Sequence, residues 1–398
     1  MKRTNQFAPW PCFSKDEIAA VTRVLRSGKV NQWTGQEVFS FEAEYARTLG
    51  VKYAVALANG SVALDIALLA LGIGPGDEVI VPSRSFVASA SCIALRKAIP
   101  VFADIDRESQ NITVDTIEEV FTHRTKAVIA VHLAGWPCEL DAIRKFCDRK
   151  GIYLIEDCAQ SHGAKYKGKP AGYFGDVACF SFCQDKIIST GGEGGLLVTN
   201  NEKIWQRAWR LKDHGRNYKK MFSRKDSCDF IWSVEDFGTN YRMTEMQAAI
   251  GRSMLAKLDI WICKRRKLSH ILTHGFSEFE QLRVTIPSPE IYHAYYKYYV
   301  FVKPETLATG WNRDRIVRAL IRTGVPCGTG VCPEIYLEKA FVKYRHNYTA
   351  TMQPRLPVAR ELGQTSIMFQ VHPSLSEANM HRIIEEMDKV LRAEDVPS

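Results

Sequence analysis

The segment ACFSFCQDKIISTGGEGGLLVT, residues 178–199, places one lysine between a hydrophobic strand and a loop rich in glycine. Residues 178–182 are apolar except for Ser181, and they predict a buried β-strand. Lys186 follows, and the glycines after it are too dense for a helix. An ordinary surface lysine needs no such setting, whereas a lysine that bonds covalently to a carbonyl group does. The rest of the chain decides between these two interpretations.

Short apolar runs alternate with helical stretches on the N-terminal side of this segment. The runs that predict strands are YAVALA (53–58), EVIVP (78–82), KAVIAVHLAG (126–135) and IYLIEDCA (152–159). Helical patterns lie between them, for example at 61–72 and 140–151. Such alternation predicts an α/β fold with a mainly parallel sheet covered by helices on both faces. The nearly continuous apolar character of the strands supports burial on both sides.

The length of 398 residues suits one large domain and one smaller domain. We predict an N-terminal arm and a large α/β/α domain over residues 1–256, and a small α+β domain over residues 257–398. A single long helix is expected to begin at Thr244, where a capping box runs to Gln247. A second capping box, Ser14 to Glu17, predicts a helix near the N-terminus.

Composition excludes several classes of protein. The net charge of +9 is spread along the chain, with its densest cluster in CKRRK at 263–267. A nucleic-acid-binding protein usually concentrates such charge on one face, so we expect no nucleic-acid partner. A basic surface would still favour an anionic small substrate.

The N-terminus and the cysteines indicate a cytoplasmic location. The first residues carry positive charge without the apolar stretch of a signal peptide, and no apolar run reaches the length of a membrane span. The 11 cysteines are odd in number and irregularly spaced, which is typical of reduced thiols. No metal site is expected.

A candidate anion site follows the first predicted strand, at Gly60 and Ser61. Free N–H groups and the helix dipole make the N-terminal end of a helix attractive to anions. The alternative is a plain N-cap serine. After the second strand, Phe86 lies where it could cover a flat ring, or could simply pack into the core.

Asp157 follows an apolar strand directly and should be largely buried, so that its carboxylate needs a partner. A protonated pyridine nitrogen would serve, and a salt bridge to an arginine or lysine is the alternative. Gln160 could hydrogen-bond the same ligand. Ser181 could hold a phosphate while Lys186 forms an imine and then carries protons. Together these signals indicate pyridoxal 5′-phosphate (PLP).

The order and wording of these motifs resemble the DegT/StrS family of sugar aminotransferases, which have PLP fold type I, the aspartate-aminotransferase-like fold. The resemblance extends over nearly the whole chain, through stretches such as GIGPGDEVIVPSRSFVASA (72–90) and FGTNYRMTEMQAAIG (237–251). It implies that Lys186 is the Schiff-base lysine and that Asp157 meets the pyridine nitrogen. The implied roles of the other residues are Gln160 beside the ring, Phe86 stacked on it, and Gly60, Ser61 and Ser181 at the phosphate.

The resemblance also implies a homodimer with shared active sites, because Asn240 matches an asparagine that reaches the phosphate from the partner subunit. Trp33 and Tyr336 are candidates for packing against the sugar, or are core residues. One extra glycine, Gly191 or Gly192, lengthens the loop after Lys186 relative to the family and is expected to affect the acceptor site.

The reaction implied is amino transfer from L-glutamate to a nucleotide-linked keto-sugar, at C4 or C3 of a deoxy or acetamido sugar, with pyridoxamine 5′-phosphate between the two halves. Its products would feed lipopolysaccharide, other surface polysaccharide or glycan. Three alternatives remain. A sugar dehydratase of the same fold would carry histidine in place of Lys186. A PLP-binding regulatory protein would bind without turnover, and a cysteine-based sulfur-transfer enzyme would use one of the thiols.

Overall fold

The structure, a computed structural model, describes residues 7–222, 232–345 and 354–392. Its strands in chain order are β1 Tyr53–Leu57, β2 Glu78–Pro82, β3 Ile99–Ala103, β4 Thr125–Val131, β5 Tyr153–Asp157, β6 Lys165–Tyr166, β7 Lys169–Pro170, β8 Val177–Ser181, β9 Gly195–Thr199, β10 Leu282–Arg283, β11 Ile291–Tyr292, β12 Tyr298–Val302, β13 Cys327–Gly328 and β14 Ser366–Phe369. Its α-helices are α1 Lys15–Ser27, α2 Glu37–Leu49, α3 Gly60–Leu71, α4 Ala88–Leu95, α5 Val114–Glu118, α6 Leu140–Lys150, α7 Glu202–Lys212, α8 Tyr218–Phe222, α9 Glu245–Leu255, α10 Leu258–Ser277, α11 Arg313–Arg322, α12 Lys339–Arg345, α13 Pro357–Thr365 and α14 Glu377–Arg392.

Seven strands form the large sheet, in the order β1-β9-β8-β5-β4-β2-β3. The pairs from β8 through β5, β4 and β2 to β3 are parallel, whereas β9 runs antiparallel to both of its neighbours. The prediction of a mainly parallel sheet is therefore confirmed. The connection from β8 to β9 contains Lys186 and no helix, whereas a parallel return usually uses a helical crossover.

Helices cover both faces of the large sheet, as predicted. Alternate residues of one strand enter different cores: Val55 and Leu57 pack with α3, α4 and α7, whereas Ala54 and Ala56 pack with α2 and α9. Helix α6 covers the second face further along the sheet. Burial on both faces explains why these strands are almost continuously apolar.

A second, antiparallel sheet of four strands has the order β10-β12-β14-β13, and helices α10, α11 and α14 pack around it. A third sheet has the order β11-β6-β7, and its pairing of β11 with β6 ties the C-terminal part of the chain to the large domain. The domain boundary between residues 256 and 257 stays a prediction.

The helix expected from Thr244 is two helices, α9 and α10, separated at Ala256 and Lys257. The prediction of one continuous helix is therefore wrong. At the break, the Lys257 ammonium lies 2.6 Å from a carboxylate oxygen of Glu17, which anchors this point to α1. Both predicted capping boxes are present. No helix within the described ranges is long and apolar enough to cross a membrane.

Candidate active site

A cavity of about 990 Å³ opens where the carboxyl ends of β1, β2, β5 and β8 meet residues from the small sheet. Ligands of open α/β sheets bind at this edge. Most residues predicted for the cofactor line this one cavity: Gly60, Ser61, Phe86, Asp157, Gln160, Ser181 and Lys186.

The N-terminus of α3 forms one end of the cavity. Asn59, rather than Ser61, is the N-cap, because its side chain accepts a hydrogen bond from the Val62 N–H at 2.9 Å. The alternative of a plain N-cap serine is therefore wrong, and Ser61 is an exposed residue of the first turn. A Cβ on Gly60 would lie 2.6 Å from the Ser181 Cβ, so glycine allows the helix end to approach the serine. Anions are stabilised at such a helix end.

Asp157 is the last residue of β5 and is 5% exposed. Its carboxylate accepts hydrogen bonds from the Ser89 hydroxyl at 2.7 Å and from the Ala159 N–H at 3.1 Å. Within residues 7–222, 232–345 and 354–392 no arginine, lysine or histidine forms a salt bridge with it, so the salt-bridge alternative is wrong. Burial raises the pKa of the Asp157 carboxyl above its ordinary value. Its position leaves the charge to be met by a cation entering the cavity.

Two further groups border the space beside Asp157. The Gln160 amide oxygen accepts a hydrogen bond from the Ala134 N–H at 2.8 Å, which leaves the amide NH2 for a ligand. Phe86 is 61% exposed and makes no ring contact with the aromatic residues that the structure describes. The core alternative for Phe86 is therefore wrong, and its ring is available to cover a flat ligand.

Lys186 reaches into the cavity from the turn after β8. Its Nζ lies 3.2 Å from the Asp185 carboxylate and 3.2 Å from the Tyr296 hydroxyl, which itself donates to Asp185. Burial alone would raise the pKa of the Asp185 carboxyl. The Lys186 ammonium and the Tyr296 hydroxyl outweigh this effect and hold that pKa below its ordinary value. Burial and the Asp185 charge together raise the pKa of Tyr296 well above its usual range. Tyr296 is thus a neutral hydrogen-bonding group beside the amine.

His162 supports this site from behind. Its Nδ1 lies 2.6 Å from the Tyr45 hydroxyl and its Nε2 lies 2.8 Å from the Ser181 carbonyl oxygen. Burial lowers the pKa of His162 to about 4, so the ring is neutral near pH 7. It therefore fixes the backbone at Ser181 and takes no part in proton transfer.

Three predicted residues lie away from the cavity of this single chain. Asn240 is exposed in the segment before α9. Trp33 stacks on Phe222, with 5.7 Å between the ring centroids. Tyr336 is buried and donates a hydrogen bond to Glu334, so it occupies a packing position. Roles of Trp33 and Asn240 at a shared site remain predictions.

Five residues that the sequence had not indicated contribute to the site: Asp185, Tyr296, Lys297 and Gln370 line the cavity, and Ser89 donates a hydrogen bond to Asp157 from behind it. Asp185 directly precedes the lysine and could have been found from the sequence. The other four come from a helix face and from the small sheet, where no motif distinguishes them from packing residues.

The loop with the extra glycine also borders the cavity. Gly191 and Gly192 have φ of +88° and +129°, which favour glycine. Next to them, Glu193 lines the cavity, and its carbonyl oxygen accepts a hydrogen bond from the Gln247 side chain at 2.8 Å. The added glycine therefore lies next to a residue of the cavity wall, and its effect on the acceptor site stays a prediction.

The thiols near the site do not form a reactive cluster. Cys158 and Cys179 are buried, and burial raises the pKa of both thiols far above the usual range, which suits packing. Cys183 is half-buried and lines the cavity. All ten cysteines in the described ranges are free thiols, as expected from the irregular spacing.

Comparison with known proteins indicates the same class of enzyme as the residues of the cavity do. The family model described as "DegT/DnrJ/EryC1/StrS aminotransferase family" matches residues 11–388. The GDP-perosamine synthase of Escherichia coli O157:H7 is 34% identical over 355 residues, which cover 89% of this chain and 90% of that protein.

Solved structures extend the likeness to the fold. An aminotransferase from Psychrobacter cryohalolentis has a TM-score of 0.93 and 46% identity, covering 96% of this chain and 98% of its own. A mutant GDP-4-keto-6-deoxymannose-3-dehydratase with bound GDP-perosamine has a TM-score of 0.86 and 28% identity, covering 96% of this chain and all of its own (100%). With the lysine, the buried aspartate and the anion-binding helix end in one cavity, these matches show that the chain belongs to the DegT/DnrJ/EryC1/StrS aminotransferase family and is a sugar aminotransferase.

Proposed function

We propose that this enzyme transfers an amino group from L-glutamate to the C4 or C3 ketone of a nucleotide-linked deoxy or acetamido sugar. The observation that carries the proposal is the pairing of Asp157 and Lys186 in one cavity. Asp157 is a buried carboxylate with no cationic partner in the described chain, and Lys186 is an amine held at the same cavity. This arrangement suits a cofactor with a protonated ring nitrogen and an aldehyde.

The residues present fit PLP, which the family implies. Asp157 would pair with the ring nitrogen, and Phe86 would cover the ring. The N-terminus of α3 at Gly60 and Ser61, together with the Ser181 hydroxyl, would hold the phosphate. When bound, PLP supplies an electron sink for the substrate carbon that loses its proton.

Lys186 would carry the proton in both halves of the reaction. Its Nζ is kept at the cavity by the Asp185 carboxylate and the Tyr296 hydroxyl, both at 3.2 Å. Asp185 and Tyr296 fix the direction of the amine, and Tyr296 does so without a charge of its own. Lys186 is thus positioned to take a proton from one carbon and return it to another.

We place a GDP-linked 4-keto-6-deoxy sugar first among the acceptors. The Escherichia coli relative is named GDP-perosamine synthase, and the dehydratase structure contains bound GDP-perosamine. A basic chain with a net charge of +9 suits a substrate that carries a diphosphate. Amino-sugar synthesis for surface polysaccharide is the role that follows.

The test is the visible absorbance of the purified holoenzyme before and after addition of L-glutamate. We expect loss of the yellow colour together with one equivalent of 2-oxoglutarate. Subsequent addition of GDP-4-keto-6-deoxymannose should restore the colour and give an aminated sugar by mass spectrometry. A yellow protein that ignores glutamate would contradict the donor, and a protein that takes up no PLP would contradict the site.

The dehydratase alternative has one observation in its favour, the similarity to the dehydratase structure. Lys186 argues against it, because the resemblance places histidine there in dehydratases. The same mass measurement separates the two reactions, since a dehydratase yields a sugar that has lost oxygen at C3 and carries no new amino group.

We also propose a homodimer in which Asn240 of one protomer completes the site of the other. Asn240 is exposed and does not line the cavity of its own chain, and Phe237 beside it is almost fully exposed. Mixing the Lys186→Ala and Asn240→Ala proteins tests this arrangement. Mixed dimers would regain one intact site, whereas a mixture as inactive as its components would contradict site sharing.

A further inference from the structure

A lysine and a glutamine meet at the edge of the small sheet that faces the cavity. Lys297 directly precedes β12 and Gln370 directly follows β14. The antiparallel register pairs Tyr298 with Phe369, which brings the two flanking residues side by side. The Lys297 Nζ donates a hydrogen bond to the Gln370 amide oxygen at 2.8 Å, and both residues line the cavity.

The charge of Lys297 has no carboxylate partner within the described ranges. It forms no salt bridge there, and its ammonium group lies 4.7 Å from the centre of the Tyr296 ring. Burial, and then the nearby Arg265 and Lys186, lower the pKa of Lys297 to about 8, against the opposing effect of Asp185. A largely buried cation in this condition is stabilised when an anion binds to it.

Arg265 adds positive potential behind this point. It is buried, and its Nη1 donates only to the backbone carbonyl oxygens of Tyr295 and Tyr296. Its Nε and Nη2 have no hydrogen-bond partner in the described part of the chain, and no carboxylate neutralises it there. The side of the cavity near Tyr296 therefore has two cations, Lys297 and Arg265, that form no salt bridge within the described ranges, whereas the nearby Asp185 carboxylate is paired with Lys186 and Tyr296.

Resting on the proposed function, we propose that Lys297 and Gln370 form the subsite that binds a carboxylate group of the amino donor. The ammonium group donates to one carboxylate oxygen, and the Gln370 amide NH2 donates to the other. The Gln370 amide is oriented for this purpose, because its oxygen already accepts from Lys297. A charge-assisted pair of donors is a strong arrangement for a planar carboxylate.

The position favours an amino-acid carboxylate over a sugar diphosphate. The ammonium groups of Lys186 and Lys297 lie 4.9 Å and 4.7 Å from the centre of the same Tyr296 ring. The carboxylates of glutamate are one and three carbons from the carbon that exchanges its proton, whereas the diphosphate lies across the sugar ring from its ketone. Glu193 and Glu338, which also line the cavity, are exposed and repel anions. Asp185 is already hydrogen-bonded to Lys186 and Tyr296, so Lys297 remains available to an anion at this edge.

The experiment measures binding of 2-oxoglutarate to the PLP holoenzyme by calorimetry. We expect Lys297→Met to weaken binding at least about 10-fold, since it removes a charged hydrogen bond. Gln370→Glu should weaken binding of 2-oxoglutarate as much, because the new carboxylate would form a salt bridge with Lys297. Lys303→Met is the matched control: Lys303 follows the other end of β12, lies outside the cavity, and its change should leave binding as in the wild type.

Lys297→Arg should retain binding within a few-fold, because arginine keeps the charge. Unchanged binding in Lys297→Met, or no binding of 2-oxoglutarate to the wild type, would overturn the subsite. Weaker binding of GDP with unchanged binding of 2-oxoglutarate would also overturn it, by assigning the anion to the nucleotide. A wild type that binds 2-oxoglutarate through Lys297 but never consumes glutamate would refute the proposed function and leave the subsite intact.

Discussion

The two faces of β5 carry neighbouring carboxylates in opposite situations. Glu156 is fully buried and accepts hydrogen bonds from three backbone N–H groups, of Gly172, Phe174 and Gly175, while the His132 ring lies 3.0 Å away. Asp157, on the other face, has one hydroxyl and one N–H and lines the cavity. The first carboxylate is satisfied by the fold, whereas the second is left for a ligand.

Two neighbouring residues of β5 therefore have different roles: Glu156 stabilises the fold, and Asp157 remains available to a ligand. His132, Glu156 and Cys158 also lie close enough together to suggest a metal site. Glu156 is already saturated by the backbone of the 172–175 turn, so this group serves to fix that turn against β5. For the cavity face we expect the reverse, namely that removal of Lys186 or of the Asp157 charge has little effect on folding.

The largest expected effect tests that property at Lys186. Lys186→Ala should lower transamination by at least about 10⁴-fold, because the proton carrier is lost, and should leave the melting temperature of the cofactor-free protein nearly unchanged. Lys303→Ala is the control for removal of a lysine. Substantial glutamate-dependent turnover in Lys186→Ala would refute the assignment of this residue.

The neighbouring carboxylates can be compared directly with a matched pair of amide substitutions. Asp157→Asn should reduce activity by about 10²-fold or more, because the partner of the ring nitrogen loses its charge. Since burial raises the pKa of the Asp157 carboxyl, its charge destabilises the cofactor-free fold above that pKa. The cofactor-free variant should therefore be at least as stable as the wild type at pH 7, measured by urea unfolding.

Glu156→Gln should lower the stability of the fold more than the activity. Both of its oxygens accept hydrogen bonds from backbone N–H groups. The NH2 group of the glutamine would therefore face a backbone N–H donor that is fixed in position. We expect a loss of about 2–4 kcal/mol of unfolding free energy. Activity per folded molecule should change less than in Asp157→Asn. Equal stability losses in the two variants would contradict the proposed difference between the two faces of β5.

A smaller effect is expected at Tyr296. Tyr296→Phe removes the hydroxyl that lies 3.2 Å from the Lys186 Nζ and keeps the ring. The glutamate half-reaction should slow about 10-fold, with PLP content unchanged, since the amine is less well positioned. Rapid-mixing absorbance measures this rate. An unchanged rate would mean that Asp185 positions the amine alone.

The smallest expected effect is a pH dependence. Because an anion binds the protonated form of Lys297, binding of 2-oxoglutarate should be full below pH 8 and weaken as the pH rises through about 8. Three neighbouring groups titrate outside this range, because Asp185 has a lowered pKa, Tyr296 has a raised one, and burial lowers the pKa of His372 to about 3. Burial lowers the pKa of Arg265 to about 9, above the transition expected for Lys297. Calorimetry from pH 6.5 to 9 measures the trend, and Lys297→Arg should abolish it.

The sequence predicted the half of the site that lies on the large sheet. The residues after parallel strands meet at one edge of the sheet, so Gly60, Asp157 and Ser181 could be assigned to one site before their distances were known. Lys186 was found because a lysine before a glycine loop has few other uses. The helix from Thr244 was predicted too long, since periodicity continues across the break at Lys257 that a contact with α1 anchors.

The sequence by itself therefore predicted the α/β fold and proposed the residues for a cofactor, because period and strand-end position are local properties of the chain, and the resemblance of its motifs indicated the family. Only the tertiary structure decided that Asp157 has no salt bridge within the described residues, that Tyr336 packs in the core, and that Tyr296, Lys297 and Gln370 line the same cavity as Lys186. These residues come from a second sheet more than 100 positions away. Their meeting depends on how the two sheets pack, which no local pattern encodes.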